Sequence, residues 1–551
     1  MHINLLNNRQ QVKQQYNSRN NKNTNPTFKG GTAVLDYLVT NPIWGATVTD
    51  VTSMGGPRTV IDGIHRGLSA AAETGVREFS STANDASVGA YGLLAGTMLA
   101  GMLKPMGIKD PQRIFASNES LDLHNEKWLA NNENVSKFVD DYVENLEGFN
   151  PNSSKANSKG YVKIAEEHKE VIKEDLKKLA DTSLGKKDRK VVFDRLKARF
   201  IEATGAETQM KLTHGTKTIE VDSRTMLDDF HRLTKAFQEK TASTSSNKLV
   251  SRVKQFGKSR ALLGLGMAMA ISASVQPINV YLTKKRTGSD GFAGMPDREK
   301  DTSKGFKLKK FASAATMAGV ALATLQAKPS QILNKAMFKS AIPSMDQIKI
   351  LFGITIISRQ LSARDKYELS ETNRKDILGY LNWLIIGNAI NKGILMKMED
   401  KKNPVVKMSE EIRAKKGLSG GISKFFNSNI ASRREVLVDG LTKMGKSAIR
   451  PDGKAKTITE MMKELPKNSV ARKNIKLLNI AQLINYGYTI AVLGIGLPRL
   501  NIALTNRAQA KRNLEKQQKI KENVMTQKNQ EFVMNKSEMK TFTSFKSQQT
   551  M

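Results

Sequence analysis

One stretch of this 551-residue chain has the spacing of a catalytic motif. Gly440-Leu-Thr-Lys-Met-Gly445-Lys446-Ser447 matches the phosphate loop, in which backbone N–H groups cradle phosphates, the lysine neutralises them and the hydroxyl holds magnesium. Glu435 to Val438 ahead of it could form the strand the motif needs. Such a loop must open a helix whose N-terminus faces the anion. Here Pro451 and Gly453 follow almost at once and leave barely one turn. No later apolar strand ending in aspartate offers a magnesium partner. In a chain so rich in Lys and Gly the match reads as chance. The chain is therefore expected to be no enzyme, with no catalytic, cofactor-binding or metal residue.

Other reactive groups are sparse. The six histidines, at 2, 65, 124, 168, 214 and 231, show no metal-ligand spacing, and the absence of cysteine removes thiolate chemistry and disulfides. Asp140-Asp141 and Asp228-Asp229 read as solvated helix faces, and no Ser-His or Gly-x-Ser-x-Gly constellation is present. A formal charge of +36 demands an anionic neighbour. Aromatic residues make up only 6% and are not interleaved with Lys or Arg, so nucleic acid is an unlikely partner. The anionic headgroups of a lipid bilayer, met by basic loops and a basic tail, are the expected one.

The elements that would place such residues are apolar blocks set between polar stretches. Ala261 to Leu282 is a membrane-length run closed by Pro277, Asn279 and a basic cluster. A similar exit, Pro498 to Arg507, closes the run over 475–504. Further span candidates are Ser87 to Leu103, with Gly92, Gly96 and Ala100 on one close-packing face, 311–327, the short 348–358, and 377–396. In the last, Tyr380 and Trp383 read as interfacial aromatics, Lys392 as a snorkelling cation, and Asn382, Asn388 and Asn391 as interhelical glue. Met54-Gly-Gly-Pro57 has turn chemistry, and Thr59 to Glu78 reads as a helix with Ile61, Ile64, Leu68 and Ala72 on one stripe.

Between the spans the pattern is polar and helical. Ser120–Asn132, Val135–Leu146, Tyr161–Leu179 and Arg189–Ala203 carry helical apolar spacing. A hairpin over Met210–Val221, turning at His214-Gly215, precedes a helix capped by Asp222 or Ser223. The expected organisation is a disordered polar arm (1–30), an N-terminal region with the first span (31–103), a soluble helical domain (104–258), a membrane region (259–396), a polar basic region (397–474), the last span (475–504) and a basic tail (505–551), helical to about Val524.

The arm ends in Asn25-Pro-Thr-Phe-Lys-Gly30. That leader, with the Pro-Asn-Leu-Thr exits, resembles uncharacterised polytopic membrane proteins from non-photosynthetic relatives of cyanobacteria. The resemblance rests on short motifs, implies a membrane protein and brings no activity. The expected fold is mainly α, a helical membrane protein with four to six spans, helical extramembrane regions and at most a minor β-hairpin. The paired exits, each preceded by Lys-Thr-Ile (217–219 and 456–458), raise a duplication. If the exits are equivalent, they share one side and an odd number of spans lies between them. Six spans then place both termini in the cytoplasm. A membrane-embedded scaffold or interaction protein is the first functional expectation. A transporter or channel-like protein is the second, and a soluble basic nucleic-acid-binding protein the third.

Overall fold

The structure, a computed structural model, describes residues 31–292, 299–325, 328, 331–340 and 342–548. The arm of residues 1–30 and its leader motif lie outside the described residues. The chain is mainly helical, with one small sheet and a two-stranded ribbon. It divides into a bundle of long helices and two polar regions stacked on one end of it.

After α1 (Gly31–Thr40), α2 (Pro42–Thr49) runs through a π-helical turn at Asp50–Gly55 directly into α3 (Gly56–Arg66). Met54-Gly-Gly-Pro57 is therefore helix interior instead of a turn, with the π turn ending just ahead of Pro57. Gly67, at φ 86°, reverses the chain into α4 (Leu68–Met98). It splits the expected Thr59–Glu78 helix. Only Ile61 of that stripe is buried, whereas Leu68 is 88% exposed and Ile64 faces outward with it.

The soluble domain follows. α5 (Asn118–Ala130) and α6 (Val135–Glu144) lead into β1 (Leu146–Phe149) and β2 (Tyr161–Lys163), then α7 (Glu166–Ala180) and α8 (Lys186–Thr204). β3 (Met210–His214) and β4 (Lys217–Val221) form the expected hairpin, and Asp222 caps α9 (Ser223–Glu239). The hairpin extends into an antiparallel sheet of order β2-β1-β3-β4. Tyr161 thus opens a strand and not a helix. Helices and sheet enclose an apolar core in which Trp128, Phe138, Tyr142 and Phe230 stack or meet edge to face.

α10 (Ser246–Thr287) carries the chain back through the bundle, and Pro277 is held within it. Four more segments complete the upper half of the chain: α11 (Lys304–Leu325), α12 (Ile332–Ala336), α13 (Met345–Ser362) and α14 (Lys366–Thr372). From α14 the helix continues through π turns at Asn373–Ile377 and Asn382–Ile386, with α15 (Leu378–Leu381) between them, into α16 (Gly387–Met398). The short 348–358 candidate is a full helix because Ser344 and Gln347 form a capping box ahead of its apolar part. Tyr380 is buried on Thr324, and Lys392 does not snorkel but donates to the carbonyls of Phe425 and Ser428. The Trp383 side chain lies outside the described residues. Asn382 does act across helices, accepting from the Tyr488 hydroxyl at 2.7 Å.

The second polar region contains β5 (Val406–Lys407), α17 (Glu410–Ala414), α18 (Gly417–Phe426), β6 (Asn429–Ile430), α19 (Arg433–Thr442) and α20 (Ile458–Glu464). α21 (Val470–Thr489), a π turn at Ile490–Gly496 and α22 (Leu497–Gln548) make the final helix, which does not stop near Val524.

Contacts fix the directions. α4 runs antiparallel to α10: Asn279 reaches the Glu73 carbonyl at one end, and Gly96 lies against Arg260 at the other. A Cβ on Gly264 would lie 3.2 Å from the Gly92 Cα, so the small-residue face does bring two helices close. Counting α2–α3, α4, α10, α11, α13, α14–α16 and α21–α22, seven helical passes cross the bundle among the described residues. Three lie between the two exits, an odd number. The seventh pass is α2–α3, which the sequence reading did not count as one. It leaves Thr32, bonded to Asn479, and Thr505 at opposite ends, about 39 Å apart along the final helix.

Two helices are long and apolar enough to cross a membrane, Ser246–Thr287 and Val470–Gln530, and a third if Leu68–Met98 and Ala100–Met106, bent by 48°, count as one. The other passes do not reach that length and apolarity. On α10 the buried stripe is Ser272, Gln276, Asn279 and Thr283, while Leu262, Ile278 and Tyr281 are exposed.

Candidate functional site

Where the passes meet, ionisable side chains gather beside small apolar clusters. Glu78 of α4 receives Lys375 at 2.9 Å, Arg77 at 3.2 Å and Arg58 at 3.3 Å. Asp376 receives Arg359 at 3.2 Å, and Arg359 also reaches within 3.8 Å of Glu78. The π turns place these groups, since Asp50 lies on one and Lys375 and Asp376 on another. A π turn rotates the following side chains and is common at functional positions. Asp50, Arg58, Glu78, Thr355, Arg359 and Lys375 line a cavity of about 50 Å³. That is room for a few waters among polar partners.

Toward the basic exits a second layer closes the bundle. Arg66 grips Glu371 through two bonds of 2.8 and 2.9 Å and reaches Asp62 at 3.5 Å. Arg364 binds Glu73 at 2.5 Å and Glu368 at 2.9 Å. The Phe292 ring sits between the two arginines, 5.0 Å from the Arg66 guanidinium carbon and 5.3 Å from that of Arg364. From Asp50 to Arg66 the column extends about 24 Å along the helix axis.

Six carboxylates of this column are paired with its six cations. Asp50 and Asp85 make no ion pair among the described residues. Asp50 Oδ1 and both Asp85 carboxylate oxygens are buried without a hydrogen-bond partner.

The same geometry occurs twice. Asn279 and Asn501, the asparagines of the two exits, donate to the carbonyls of Glu73 and Glu371 at 2.8 and 3.3 Å. Each of those glutamates is gripped by an arginine of the other half. Ser358 of α13 rests on the Ala273 carbonyl of α10, and Arg58 of α3 on the Leu493 carbonyl of the final helix. These contacts run reciprocally between the two halves of the bundle. The sequence signal, missed above, is Arg-x6-Glu-Thr-x2-basic-acidic, at Arg66 to Glu78 and again at Arg364 to Asp376.

The polar regions repeat an order as well. α8 ends at left-handed Gly205 before the β3–β4 hairpin and α9. α19 is followed by left-handed Gly445, a hairpin closed by the Ile449–Ala455 bridge, and α20. Lys-Thr-Ile lies in β4 in the first case and at the start of α20 in the second.

The phosphate-loop segment lies elsewhere. Gly440 is inside α19, Glu435–Val438 is helix and not strand, and Lys443 onward leaves a helix C-terminus, where the dipole disfavours anions. Ser447 donates to Glu202 at 2.7 Å. Of the acidic pairs, Asp140 and Asp141 face Lys173 and Lys127. Asp229 is no solvated residue: it is 2% exposed and accepts from Ser120 at 2.6 Å, with His124 alongside. This Ser-His-Asp group is sealed in the core. Burial pushes the Asp229 carboxyl up to about 8 and the His124 imidazole down to about 4. With no path for a substrate, the group is structural.

No family model, no curated protein and no solved structure matches this chain.

Proposed function

We propose that the chain is a multi-pass membrane protein that relays protons, or a small cation, along the buried column. One observation carries the reading: eight carboxylates share the column with six cations, and the two outside any ion pair, Asp50 and Asp85, have carboxylate oxygens buried in the bundle. Ionisable groups at such depth are expensive in lipid and mark ion or proton routes. Exposed Leu68, Leu262, Tyr281, Leu483 and Leu500 support a lipid-facing outer surface. Repeated halves meeting at the site are the architecture in which carriers hold their ions. In this reading Asp50 and Asp85 take up and release the proton, while the cations around Glu78 and Asp376 are held in ion pairs with those carboxylates. The basic exits and tail face the cytoplasm, and residues 104–258 and 397–474 face the other side. Thr32 then lies opposite the tail.

The test is flux into vesicles reconstituted with the purified protein and loaded with a pH-sensitive dye. A gradient should collapse with the wild type and persist with Asp50→Asn or Asp85→Asn. Wild-type vesicles as tight as empty ones would refute the relay. A cysteine at Ser289 labelled from the outside would overturn the orientation.

A scaffold is the second reading, favoured by the completeness of the other ion pairs and by the two large polar regions. It predicts no flux and a bundle insensitive to Asp50→Asn.

A further inference from the structure

A groove of about 690 Å³ opens in the soluble domain, well away from the column. One wall is α9, the other the first turns of α8, and the floor is the segment around Ile114. Its acids are mostly engaged: Asp228 with Arg232, and Asp110 and Glu239 with Lys235. Arg113, Lys186, Lys187, Lys190 and Arg224 line it with no carboxylate within ion-pair distance among the described residues, against Asp194 as the remaining acid. Arg189 is aimed by His231, whose Nε2 accepts from its guanidinium at 3.0 Å while Nδ1–H donates to the Leu179 carbonyl at 2.8 Å. Burial holds that imidazole near 4, so it stays neutral and serves as an acceptor. Like charges crowded on one concave face repel one another unless an anion joins them.

We infer that this groove binds a compact phosphate-bearing anion, held by Lys186, Lys187 and Lys190 on one wall and Arg113, Arg189 and Arg224 around it. Its volume suits a ligand with a phosphorylated head and a small organic body. Arginine forks and lysine point charges are the groups that recognise phosphate oxygens. Arg224 also reaches the Thr40 carbonyl at the end of α1, so the groove abuts the bundle. A free organic phosphate and a lipid headgroup therefore present the same chemistry to it.

The experiment titrates the full-length protein in neutral detergent with pyrophosphate and, separately, with short-chain dihexanoyl phosphatidate, following heat of binding. At least one probe should bind saturably below ~1 mM, the weak end of specific affinity. Lys187→Glu with Lys190→Glu should weaken it at least tenfold. Lys516→Glu on the exposed tail helix should leave it unchanged. Both lysines are exposed, so the variant's melting temperature should match the wild type, and Lys187→Gln with Lys190→Gln gives a milder second reading. Preference for phosphatidate assigns the site to lipid, and preference for pyrophosphate to a soluble ligand. No saturable binding of either probe, or equal binding by wild type and the groove variants, overturns the inference.

Discussion

Phe230 of the soluble domain and Glu78 of the bundle are both deep in their surroundings. The first meets Phe138 and Tyr142, the second Arg58, Lys375 and Arg77. On the surface the contrast reverses: the soluble domain exposes lysines and glutamates along α7, whereas α4 and α10 expose Leu68, Leu262 and Tyr281. On the membrane reading proposed above, each region puts outside what its solvent tolerates: water accepts charge and hydrocarbon accepts leucine, so one chain can be packed in both senses. The difference teaches that specificity in the bundle comes from pairing and direction, and in the soluble domain from volume and shape.

Several substitutions would break or sharpen this contrast. The largest effect should come from Glu78→Leu, which leaves three cations without their shared carboxylate. Breaking a buried pair costs about 3–5 kcal/mol. Unfolding of the detergent-solubilised protein should show the bundle transition lowered and the soluble domain's unchanged. Phe230→Ala should do the converse at about 3–5 kcal/mol, lowering only the soluble transition. If either substitution lowered both transitions equally, the two regions would be one cooperative unit and the contrast would lose its meaning.

A smaller effect is expected from pH. Asp229 keeps its proton in the folded state up to about 8, above its unfolded value of 3.8, so its contribution is full at acid pH and lost as pH rises through that window. His124 works oppositely. Its folded value near 4 lies below the unfolded 6.5, so stability is present above 6.5 and lost as pH falls. The two slopes oppose each other between about 4 and 6.5. From about 6.5 to 8 only that of Asp229 remains, and the soluble domain should lose up to about 2 kcal/mol at 1.36 kcal/mol per unit. Asp229→Asn should flatten that limb in a thermal melt followed across pH. Smallest of all, Leu68→Gln should move stability in detergent by less than about 0.5 kcal/mol, as for other surface changes. It should still lower recovery in the membrane fraction. A loss of fold instead would mean that Leu68 is covered by protein.

The soluble domain was the more legible region because its residues obey the rules of water. Apolar spacing located α5, α6 and α8, a capping residue located α9, and turn chemistry located the β3–β4 hairpin. What it could not locate was Tyr161–Lys163, whose strand pairing depends on a partner far along the chain. In the bundle, apolar length found α10 and the last span but undervalued α2–α3 and α13, whose buried faces are polar. The short apolar length of 348–358 and the turn chemistry of Met54-Gly-Gly-Pro57 hid them. The ionic column was invisible, since a charge at helical spacing reads as solvated until another helix is seen to answer it. The repeated Arg-x6-Glu-Thr pattern is present in the sequence beside the paired exits and the Lys-Thr-Ile segments, but its charged residues carry no apolar signal.

Phe292 bears on how the two halves came to share one chain. Its ring lies between Arg66 and Arg364, a place equally related to both halves, and it arrives on the loop that follows α10. A pair of separate, identical half-length subunits would bring two such rings to a slot that holds one. One would fill it and the other would hang in solvent, an apolar side chain without a home. Within the described residues α22 runs on straight through the positions that would correspond to the loop carrying Phe292. Among the described residues the slot between Arg66 and Arg364 is filled by this one ring. It fixes the stoichiometry of the closure at one ring per molecule.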